Sequence, residues 1–325
     1  MSRPIRIEYK NAFYHVTSRG NARNNIFRDE FDKNIFFEVI GEAYTRFGFI
    51  LHAFVLMDNH YHFLIETPQA NLSSVMQHIN GVYTQAFNRR YKQVGHVLQG
   101  RYKSLVVDRD AYYFELVRYI HLNPWRARIV KELDNFKHSS HRAIVDKSWA
   151  MTTGKWYDRN RILCEFGKSE NEGVIRYREF IEAGKNKDNP LSHAIGGYAL
   201  GDRNFADWLW KEFIDGESSQ KVNAARNLRP KIDAGKIISI VCKKFQIGHK
   251  EIFKGRRGKI GFNQGRGMAL YILNKHTSMT QKEIGELAGE MNSAAVSEAV
   301  RLFAKKMAGD SILQKSYEQV LQIIR

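Results

Sequence analysis

The segment from Phe49 to Glu66 constrains the fold more than any other part of the sequence. It consists of aliphatic, aromatic and histidine residues, and its clearest interruption is the polar pair Asp58-Asn59. Two apolar runs of strand length separated by a two-residue polar turn are typical of an antiparallel hairpin. The sequence therefore predicts two paired strands, at 49–57 and 60–66.

The hydrophobic patterns around this hairpin alternate between strand and helix periodicity. In chain order they predict a strand at 12–18, a helix from Asp29 to about 46, the hairpin, a helix at 71–91, a strand at 103–107 and a helix from Asp108 or Asp110 that ends at Asn123-Pro124, since proline disfavours helix in the residue before it. This order predicts an α+β domain with a central antiparallel sheet.

Charge indicates the kind of partner. The chain has 51 Lys and Arg against 34 Asp and Glu, which gives a net charge of +17. The excess lies in residues 1–150 (21 basic, 14 acidic) and 220–325 (20 basic, 8 acidic), whereas 151–219 carry 10 basic and 12 acidic side chains. Two basic blocks around a nearly neutral middle favour nucleic acid as the partner, because basic surfaces release counterions from a polyanion.

Other classes are disfavoured by composition. No apolar run approaches the ~20 residues that span a bilayer, and no basic amphipathic helix rich in exposed aromatics stands out, so we expect no membrane partner. Cys164 and Cys242 are far apart, which makes a thiolate zinc site or a disulfide scaffold a poor explanation. The composition fits a cytoplasmic protein.

The domain organisation predicted from these patterns has three parts. We expect an α+β domain at 1–150, a helical spacer at 151–230 with no recognisable chemistry, and an all-α domain at 231–325.

The first candidate site is the sequence His60-Tyr61-His62. Residues i and i+2 of a strand point to the same face, so both imidazoles can meet one divalent ion while Tyr61 packs on the other side. Two half-buried strand histidines with hydrogen-bond partners would show the same pattern, and by itself the pair does not distinguish the two.

A second candidate group lies on the predicted helix that ends at Pro124. Tyr119 and Asn123 are four residues apart and share a helix face, which offers a phenol nucleophile together with an amide oxygen ligand. A core tyrosine followed by a helix stop remains the alternative. Basic residues in loops or at strand edges of the same domain are positioned to follow a phosphate backbone: Arg19, Arg23, Arg101 and Lys103.

Residues 1 to about 150 resemble the single-tyrosine HUH transposases associated with repetitive extragenic palindromes. The motifs that carry the resemblance are Tyr14-His-Val-Thr-Ser-Arg-Gly-Asn21, Leu56-Met-Asp-Asn-His-Tyr-His-Phe63, Gly100-Arg-Tyr-Lys-Ser104 and Tyr119-Ile-His-Leu-Asn-Pro124 followed by Arg126-Ala127. The resemblance implies a ferredoxin-like fold.

The same resemblance implies roles for individual residues. His60 and His62 are expected to bind Mg²⁺ or Mn²⁺, with Asn123 in the place of a third ligand, and Tyr119 is expected to attack a single-stranded DNA phosphate at a hairpin. Tyr112 and Tyr113 are chemically possible nucleophiles, but their positions do not match the motif.

The C-terminal block predicts a helix-turn-helix. We expect helices at 236–247, 251–254 and 266–275, a capping box at Thr280–Glu283, a glycine turn at Gly289 and a final helix capped by Asn292 or Ser293. An ordinary helical bundle is the alternative. In a helix-turn-helix the second helix enters the major groove of duplex DNA.

Residues from about 232 onward resemble the C-terminal DNA-binding domain of the bacterial replication initiator DnaA. The matching segments are Glu251-Ile252, Gly255-Arg256-Arg257, Arg266-Gly-Met-Ala269, Glu283-Ile-Gly285 and Ser293-x-x-Val296. The resemblance implies that Arg256 and Arg257 contact phosphate or the minor groove and that Asn292, Ser293 and Ser297 face bases. Lys254 and Arg266 belong to the same positively charged stretch and are further candidate DNA contacts. The Asp-His pair usual in that family is Met291-Asn292 here, so its specificity is not implied.

These features predict a DNA transposase that cuts and rejoins single strands at hairpins or palindromes through a 5′-phosphotyrosine. Two alternatives remain: a non-catalytic DNA-binding regulator and a rolling-circle replication initiator. The oligomeric state stays open, including a homo-oligomer.

Overall fold

The computed structural model describes residues 6–215, 228, 233–249, 251–253, 263–277 and 279–324. The chain divides into two compact units, residues 3–205 and a unit containing residues 206–325. We call them the first and the second unit.

The first part of the first unit contains strands and helices in the order predicted from the sequence. Its elements are β1 (Ala12–Arg19), α1 (Glu30–Phe47), β2 (Ile50–Met57), β3 (His60–Thr67), α2 (Leu72–Arg90), β4 (Lys103–Val107) and α3 (Arg109–Arg126). The first four strands lie in the order β2-β3-β1-β4, and all pairs among them are antiparallel. This confirms the α+β fold with a mainly antiparallel sheet.

The β2–β3 hairpin places His60 at one end of the sheet. In β3, His60 lies opposite Arg19 of β1 and Met57 of β2, while at the other end Glu66 lies opposite Phe13 and Ile50. The residues that follow β1 and those that connect β2 to β3 therefore meet next to His60.

Local signals explain where α1 begins and ends. The Asp29 side chain accepts a hydrogen bond from the backbone N–H of Asp32 at 3.1 Å, as expected for a helix cap. Gly48 then adopts a left-handed conformation with φ +64°, which glycine tolerates without steric cost.

The two sheet faces bury different residues because side chains alternate along a strand. On one face, Tyr61 contacts Phe36 of α1, and Tyr83 of α2 contacts Phe36 in turn, with ring centroids 5.1 and 4.9 Å apart. The other face, which carries His62 and Leu64, packs under α3. Helix α3 therefore covers the sheet face that carries His62.

The end of α3 differs from the sequence prediction. The helix continues through Pro124 to Arg126 instead of ending at Asn123-Pro124. Proline costs the hydrogen bond to the Ile120 carbonyl, but only two helical residues follow it. Backbone bonds from Ala127 to Asn123 and from Ile129 to Pro124, both 2.9 Å, complete the turn.

The segment after residue 138 shares the core of the first unit. It forms α4 (Ser140–Val145), α5 (Lys147–Ala150), α6 (Asn160–Phe166), α7 (Glu170–Glu182) and β5 (Ala199–Leu200), which pairs in parallel with β4. The buried Tyr177 hydroxyl bonds His121 of α3 and His141 of α4, each at 2.8 Å. The boundary predicted at residue 150 stays a prediction, and hydrophobic packing continues across it.

Helix α8 (Arg203–Phe213) contains the division between the units. The second unit then forms α9 (Ala234–Phe245), α10 (Gln264–His276), α11 (Gln281–Leu287), α12 (Ser293–Ala308) and α13 (Ser311–Ile324). The short helix predicted at 251–254 is wrong for residues 251–253, which form a turn. Residue 254 lies outside the described residues.

Helices α11 and α12 form the predicted helix-turn-helix. Thr280 and Glu283 make the full capping box at the start of α11. Gly289, with φ +83°, reverses the chain, and the Met291 N–H donates to the Gly285 carbonyl at 3.0 Å. A Cβ on Gly285 would lie 2.0 Å from the Met291 carbonyl oxygen, so only glycine permits this close turn.

Candidate active site in the first unit

His60 and His62 share the α3 side of β3, as the strand period predicts. Their ring centroids are 5.1 Å apart and the rings are nearly perpendicular. Tyr61 points to the opposite face, where it is fully buried and donates to Asn80 Oδ1 at 2.7 Å. The two imidazoles thus border one common space.

Each histidine is oriented through its Nδ1 atom. His60 Nδ1 lies 2.6 Å from Asn59 Oδ1, and His62 Nδ1 lies 2.9 Å from His15 Nε2. Among the described residues, no hydrogen bond engages Nε2 of either histidine. This is the arrangement of metal-binding imidazoles, in which the second nitrogen is held by a neighbouring polar group.

Burial keeps these imidazoles neutral. It lowers the pKa of His60, with a further contribution from the Arg19 cation. It lowers the pKa of His62 further, aided by His15 and His60, and lowers the pKa of His15 to about 4. Neutral imidazole is the form that binds a metal ion.

The histidines open into a cavity of about 260 Å³ with a basic rim. Arg19 is held in place by a hydrogen bond from its guanidinium to Gln99 Oε1 at 2.8 Å. Cations around a small polar cavity suit a phosphodiester. The lining consists of Thr17, Ser18, Arg19, His60, His62, Gln99, Arg101 and Lys103.

Tyr119 lies beside the histidine pair. Its ring centroid is 5.8 Å from that of His62 and 6.1 Å from that of His15, both edge to face. Burial raises the pKa of Tyr119, whereas the Arg126 cation and side-chain hydrogen bonding with Asn123 and Asn189 lower it, and burial prevails. The Arg126 guanidinium lies 5.7 Å from the centre of the ring.

Asn123 is next to Tyr119, one helical turn further along α3. Its amide nitrogen donates to the Tyr119 carbonyl at 2.9 Å, which leaves Oδ1 as the atom available for a ligand. No hydrogen bond or ring contact within the described ranges joins Asn123 to His60 or His62. The structure therefore brings Tyr119 to the pair directly, and Asn123 by way of Tyr119.

The donor set fits a divalent ion. Two neutral imidazoles with Nε2 uncommitted and a nearby amide oxygen are ligands that Mn²⁺ or Mg²⁺ can use in a mixed site. Within the described part of the chain, no group of three or more His, Cys, Asp or Glu side chains is placed to hold a metal.

Arg23 lies apart from the cavity lining. It is the last residue of the 3₁₀ turn Asn21–Arg23 after β1 and has a left-handed conformation, φ +64°, and its carbonyl accepts a hydrogen bond from the Asn59 amide at 3.3 Å. Arg19, Arg101 and Lys103 line the cavity, so three of the four predicted basic residues meet there.

Several residues of the site escaped the sequence analysis. His15 bonds to His62, Gln99 bonds to Arg19, and the side chain of Asn189, beyond α7, contributes to lowering the Tyr119 pKa. His15 and Gln99 belong to or adjoin the motifs quoted above, so their position could have drawn attention. Asn189 has no such signal.

A larger cavity, of about 650 Å³, lies at the opposite end of β1 and β3. Its buried polar groups bind one another: His52 Nδ1 lies 3.0 Å from the Tyr113 hydroxyl and His52 Nε2 lies 2.9 Å from Glu66. Tyr113, a rival nucleophile by chemistry, is thus at the end of α3 away from His60 and His62.

In the second unit, α12 presents small polar residues to solvent. Ser293 and Ser297 are exposed. Asn292 caps α12, since its Oδ1 accepts from the Ala295 N–H at 2.8 Å, and Arg266 donates to Met291 Sδ at 2.9 Å. Lys254, Arg256 and Arg257 lie outside the described residues.

Both units match a known family. Residues 8–123 match the family of IS200-like transposases, so the first unit carries a transposase-type domain. Residues 234–302 match the helix-turn-helix of bacterial DnaA protein, so the second unit carries a helix-turn-helix domain of that type. Both resemblances predicted from the sequence motifs are confirmed.

Two solved structures resemble part of the chain. A tyrosine transposase associated with repetitive extragenic palindromes, solved bound to its hairpin, is 20% identical with a TM-score of 0.40 and covers 46% of this chain and 88% of its own. A Deinococcus radiodurans R1 protein assigned as a transposase is 18% identical with a TM-score of 0.27 and covers 39% of this chain and 92% of its own.

No curated protein matches the chain. Within the described ranges, no helix combines the length and apolar character needed to cross a bilayer.

Proposed function

We propose that this protein is a transposase that cuts and rejoins single-stranded DNA at hairpin or palindromic repeats through a covalent 5′-phosphotyrosine on Tyr119. The observation that carries the proposal is the approach of the Tyr119 ring to within 5.8 Å of the His62 ring. Two motifs that are distant in sequence thereby meet beside one basic cavity. The match of residues 8–123 to IS200-like transposases supports the same activity.

The bond changes follow from the groups at this position. The Tyr119 oxygen attacks phosphorus and loses its proton to solvent, the bond from phosphorus to the 3′ oxygen breaks, and that oxygen leaves as a 3′-hydroxyl. Attack by another 3′-hydroxyl reverses the step and regenerates the phenol. The exchange of one phosphodiester for another conserves the energy needed for rejoining.

In this proposal, a bound metal ion would act only on the scissile phosphate and the leaving oxygen. Mg²⁺ or Mn²⁺ bound by His60 and His62, with Asn123 as the third protein ligand, would polarise the scissile phosphate and stabilise charge on the leaving oxygen. Arg19, Arg101 and Lys103 would hold the flanking phosphates, and Arg23 would contact the strand outside the cavity.

The second unit would bind duplex DNA. Ser293 and Ser297 at the exposed start of α12 would face bases, with Asn292 beside them and Arg266 behind the turn. Lys254, Arg256 and Arg257 would contribute phosphate contacts.

The test is covalent capture. Wild-type protein, incubated with 5′-labelled and 3′-labelled single-stranded hairpin DNA and Mn²⁺ or Mg²⁺, should form a denaturation-resistant protein–DNA adduct with the strand 3′ of the cut. Tyr119→Phe should form none, because the ring is kept and only the nucleophilic oxygen is removed. Tyr112→Phe on the same helix is the matched control and should react as wild type does.

Other outcomes separate the alternatives. Intact DNA that is bound by both wild type and Tyr119→Phe would support a non-catalytic regulator instead. An adduct that persists in Tyr119→Phe and disappears in Tyr112→Phe or Tyr113→Phe would reassign the nucleophile. A rolling-circle initiator would share the adduct, and inverted repeats flanking the coding region separate it from a transposase.

A further inference from the structure

His121 lies on α3 midway between Tyr119 and Asn123, but on another side of the helix. Each residue of an α-helix advances by about 100° around the axis, so a residue two positions further along points about 200° away. Tyr119 lies beside the histidine pair. The His121 side chain is instead fully buried, and both of its ring nitrogens bond to other elements.

The first of these bonds connects His121 to β2. His121 Nε2 lies 2.6 Å from the Ser140 hydroxyl, whose oxygen also accepts the Phe54 N–H at 2.8 Å. Phe54 belongs to β2, and the next residue, Val55, lies opposite His62 in the β2–β3 pair. One hydroxyl thus joins α3 to the hairpin at the level of His62.

The second bond connects His121 to α7. Its Nδ1 lies 2.8 Å from the hydroxyl of the buried Tyr177, which lies at the same distance from His141 Nδ1. His141 Nε2 in turn lies 2.9 Å from Asp134 Oδ1. The His121 ring is therefore held between Ser140 of α4 and Tyr177 of α7. We call His121, Ser140 and Tyr177 the α3 clamp.

The α3 clamp extends beyond the residues that match the transposase family. Residues 8–123 contain His121, whereas Ser140 and Tyr177 follow that segment. The helix that carries Tyr119 is thus held from behind by α4 and α7. These helices therefore have a place in the arrangement of the candidate site.

We propose that His121 is a positioning residue that fixes the rotation of α3 about its axis and thereby holds the Tyr119 hydroxyl in position for attack on phosphorus. The proposal rests on the proposed function, in which Tyr119 is the nucleophile. With both ring nitrogens bonded, α3 cannot turn without breaking the bond to Ser140 or the bond to Tyr177. Because Ser140 is bonded to β2, the clamp sets α3 against the hairpin that carries the histidine pair.

Small rotations of a helix are enough to matter for this reaction. Side chains extend about 5–6 Å from a helix axis, so a rotation of about 10° displaces their tips by about 1 Å. A displacement of about 1 Å from the reactive geometry can lower a rate about 100-fold. A clamp on the far side of α3 therefore acts on the rate of attack. DNA binding should be unaffected, because the basic residues of the cavity lie outside α3.

The closing experiment begins with His121→Leu in the full-length protein. This change removes both bonds of the ring. Ser140 remains bonded to Phe54 and Tyr177 to His141, so neither hydroxyl is left without a partner. We expect the single-turnover rate of adduct formation to fall at least about tenfold, with the Kd for hairpin DNA unchanged.

Two further variants separate positioning from general stability. The terminal amide of glutamine lies about where histidine has Nε2, so His121→Gln keeps the bond to Ser140 and should recover most of the rate. Tyr83→Phe is the matched control. It removes another buried hydrogen bond of the same unit, from the Tyr83 hydroxyl to the Ile26 carbonyl, on the sheet face away from α3. It should react as wild type does.

A readout independent of cleavage accompanies the rates. The rings of Tyr119 and His62 have centroids 5.8 Å apart, which is close enough for a nuclear Overhauser cross-peak between their protons. In metal-free protein with labelled tyrosine, this cross-peak is assigned by its loss in Tyr119→Phe. We expect it to weaken in His121→Leu and to persist in His121→Gln and Tyr83→Phe.

The outcomes separate this inference from the proposed function. A Tyr119-dependent adduct that forms in His121→Leu as fast as in wild type, or an unchanged cross-peak, overturns the role of His121 alone. The same conclusion follows if His121→Gln is as slow as His121→Leu, if Tyr83→Phe is equally slow, or if His121→Leu weakens the Kd for hairpin DNA at an unchanged rate. Absence of any Tyr119-dependent adduct in wild type overturns the proposed function and the role of His121 with it.

Discussion

At the level of single residues, the orientation of His62 depends on His15. The two rings stack with centroids 5.1 Å apart and share a 2.9 Å hydrogen bond between His62 Nδ1 and His15 Nε2. If His62 binds metal through Nε2, its Nδ1 carries the proton and His15 accepts it, which fixes His15 as the tautomer protonated on Nδ1.

Removal of this acceptor should weaken metal binding. We expect His15→Leu to lower the affinity for Mn²⁺ about tenfold or more, since the His62 N–H loses its partner in a buried position. His15→Gln, which retains a polar acceptor, should lose less. Titration calorimetry of the DNA-free protein measures both, and equal affinities in wild type and His15→Leu would contradict the role of His15.

His52, far from the proposed ligands, gives a pH-dependent prediction. Burial lowers its pKa, and outweighs the opposing attraction of Glu66. As the pH falls below about 6.5, the unfolded chain binds a proton that the folded His52 does not, so the free energy of unfolding decreases. In His52→Gln, the free energy of unfolding should decrease less steeply with falling pH than in wild type, by up to ~1.4 kcal/mol per pH unit. Urea unfolding between pH 7.5 and 5 tests this, and parallel curves would contradict it.

The predictable residues were those that local periodicity constrains. The common face of His60 and His62 follows from the strand period, and the pairing of Tyr119 with Asn123 follows from the helix period. The contact of residues 184–193 with α3, where Arg126 donates to the Lys187 carbonyl at 2.8 Å, follows from neither period, because it depends on how this segment crosses the helix. No local pattern encodes such a crossing, and this segment was therefore assigned to a spacer without chemistry.

At the level of elements, the turn between α11 and α12 has a strict steric requirement. Gly285 faces the Met291 carbonyl, and Val296 of α12 lies behind it, 3.5 Å from where a Cβ would be. The sequence predicted the two helices and the capping box, but the contact that requires Gly285 arises only when α11 and α12 are packed together. The wrong helix end at Pro124 has a similar origin, since tertiary packing extended α3 past a residue that locally disfavours helix.

Gly285→Ala should therefore affect duplex DNA binding without affecting adduct formation. An added methyl forces the turn open, at a cost of about 1–3 kcal/mol typical of overpacking, and should weaken duplex DNA binding. Adduct formation on a short single-stranded hairpin should remain. Ala288→Gly, which removes a methyl from the same turn, is the control for a general loss of stability. Loss of adduct formation in Gly285→Ala would contradict this division of labour.

The cap of α12 provides a second test within this element. Asn292→Ala should lower the free energy of unfolding of the second unit by about 1 kcal/mol, and Asn292→Ser should restore most of it, because both Asn and Ser accept the Ala295 N–H. Chemical denaturation measures the difference. Equal stability of the alanine and serine variants would mean that Asn292 does not act as a cap.

At the level of the whole molecule, the described residues form separate hydrophobic cores in the first and in the second unit. One includes Leu116 and Leu64 under α3, and the other includes Leu273 and Phe303 among the C-terminal helices. The division at residue 205 follows the cores, whereas the boundary predicted near residue 150 follows the hydrophobic and charge patterns and stays a prediction. The distribution of charged residues describes the protein surface, and it does not determine which segments are buried together.

Separate cores should unfold separately. We expect differential scanning calorimetry to resolve two transitions, because each unit buries its own apolar residues and has the size of an independent domain. Leu116→Ala should lower only one transition and Leu273→Ala only the other, since each removes a fully buried side chain at a cost of about 2–5 kcal/mol. Hairpin DNA should raise the transition that Leu116→Ala lowers, because ligand binding stabilises the unit that binds it. A single transition displaced by both substitutions would show one cooperative unit, and the cleavage and duplex-binding variants could then no longer be interpreted independently.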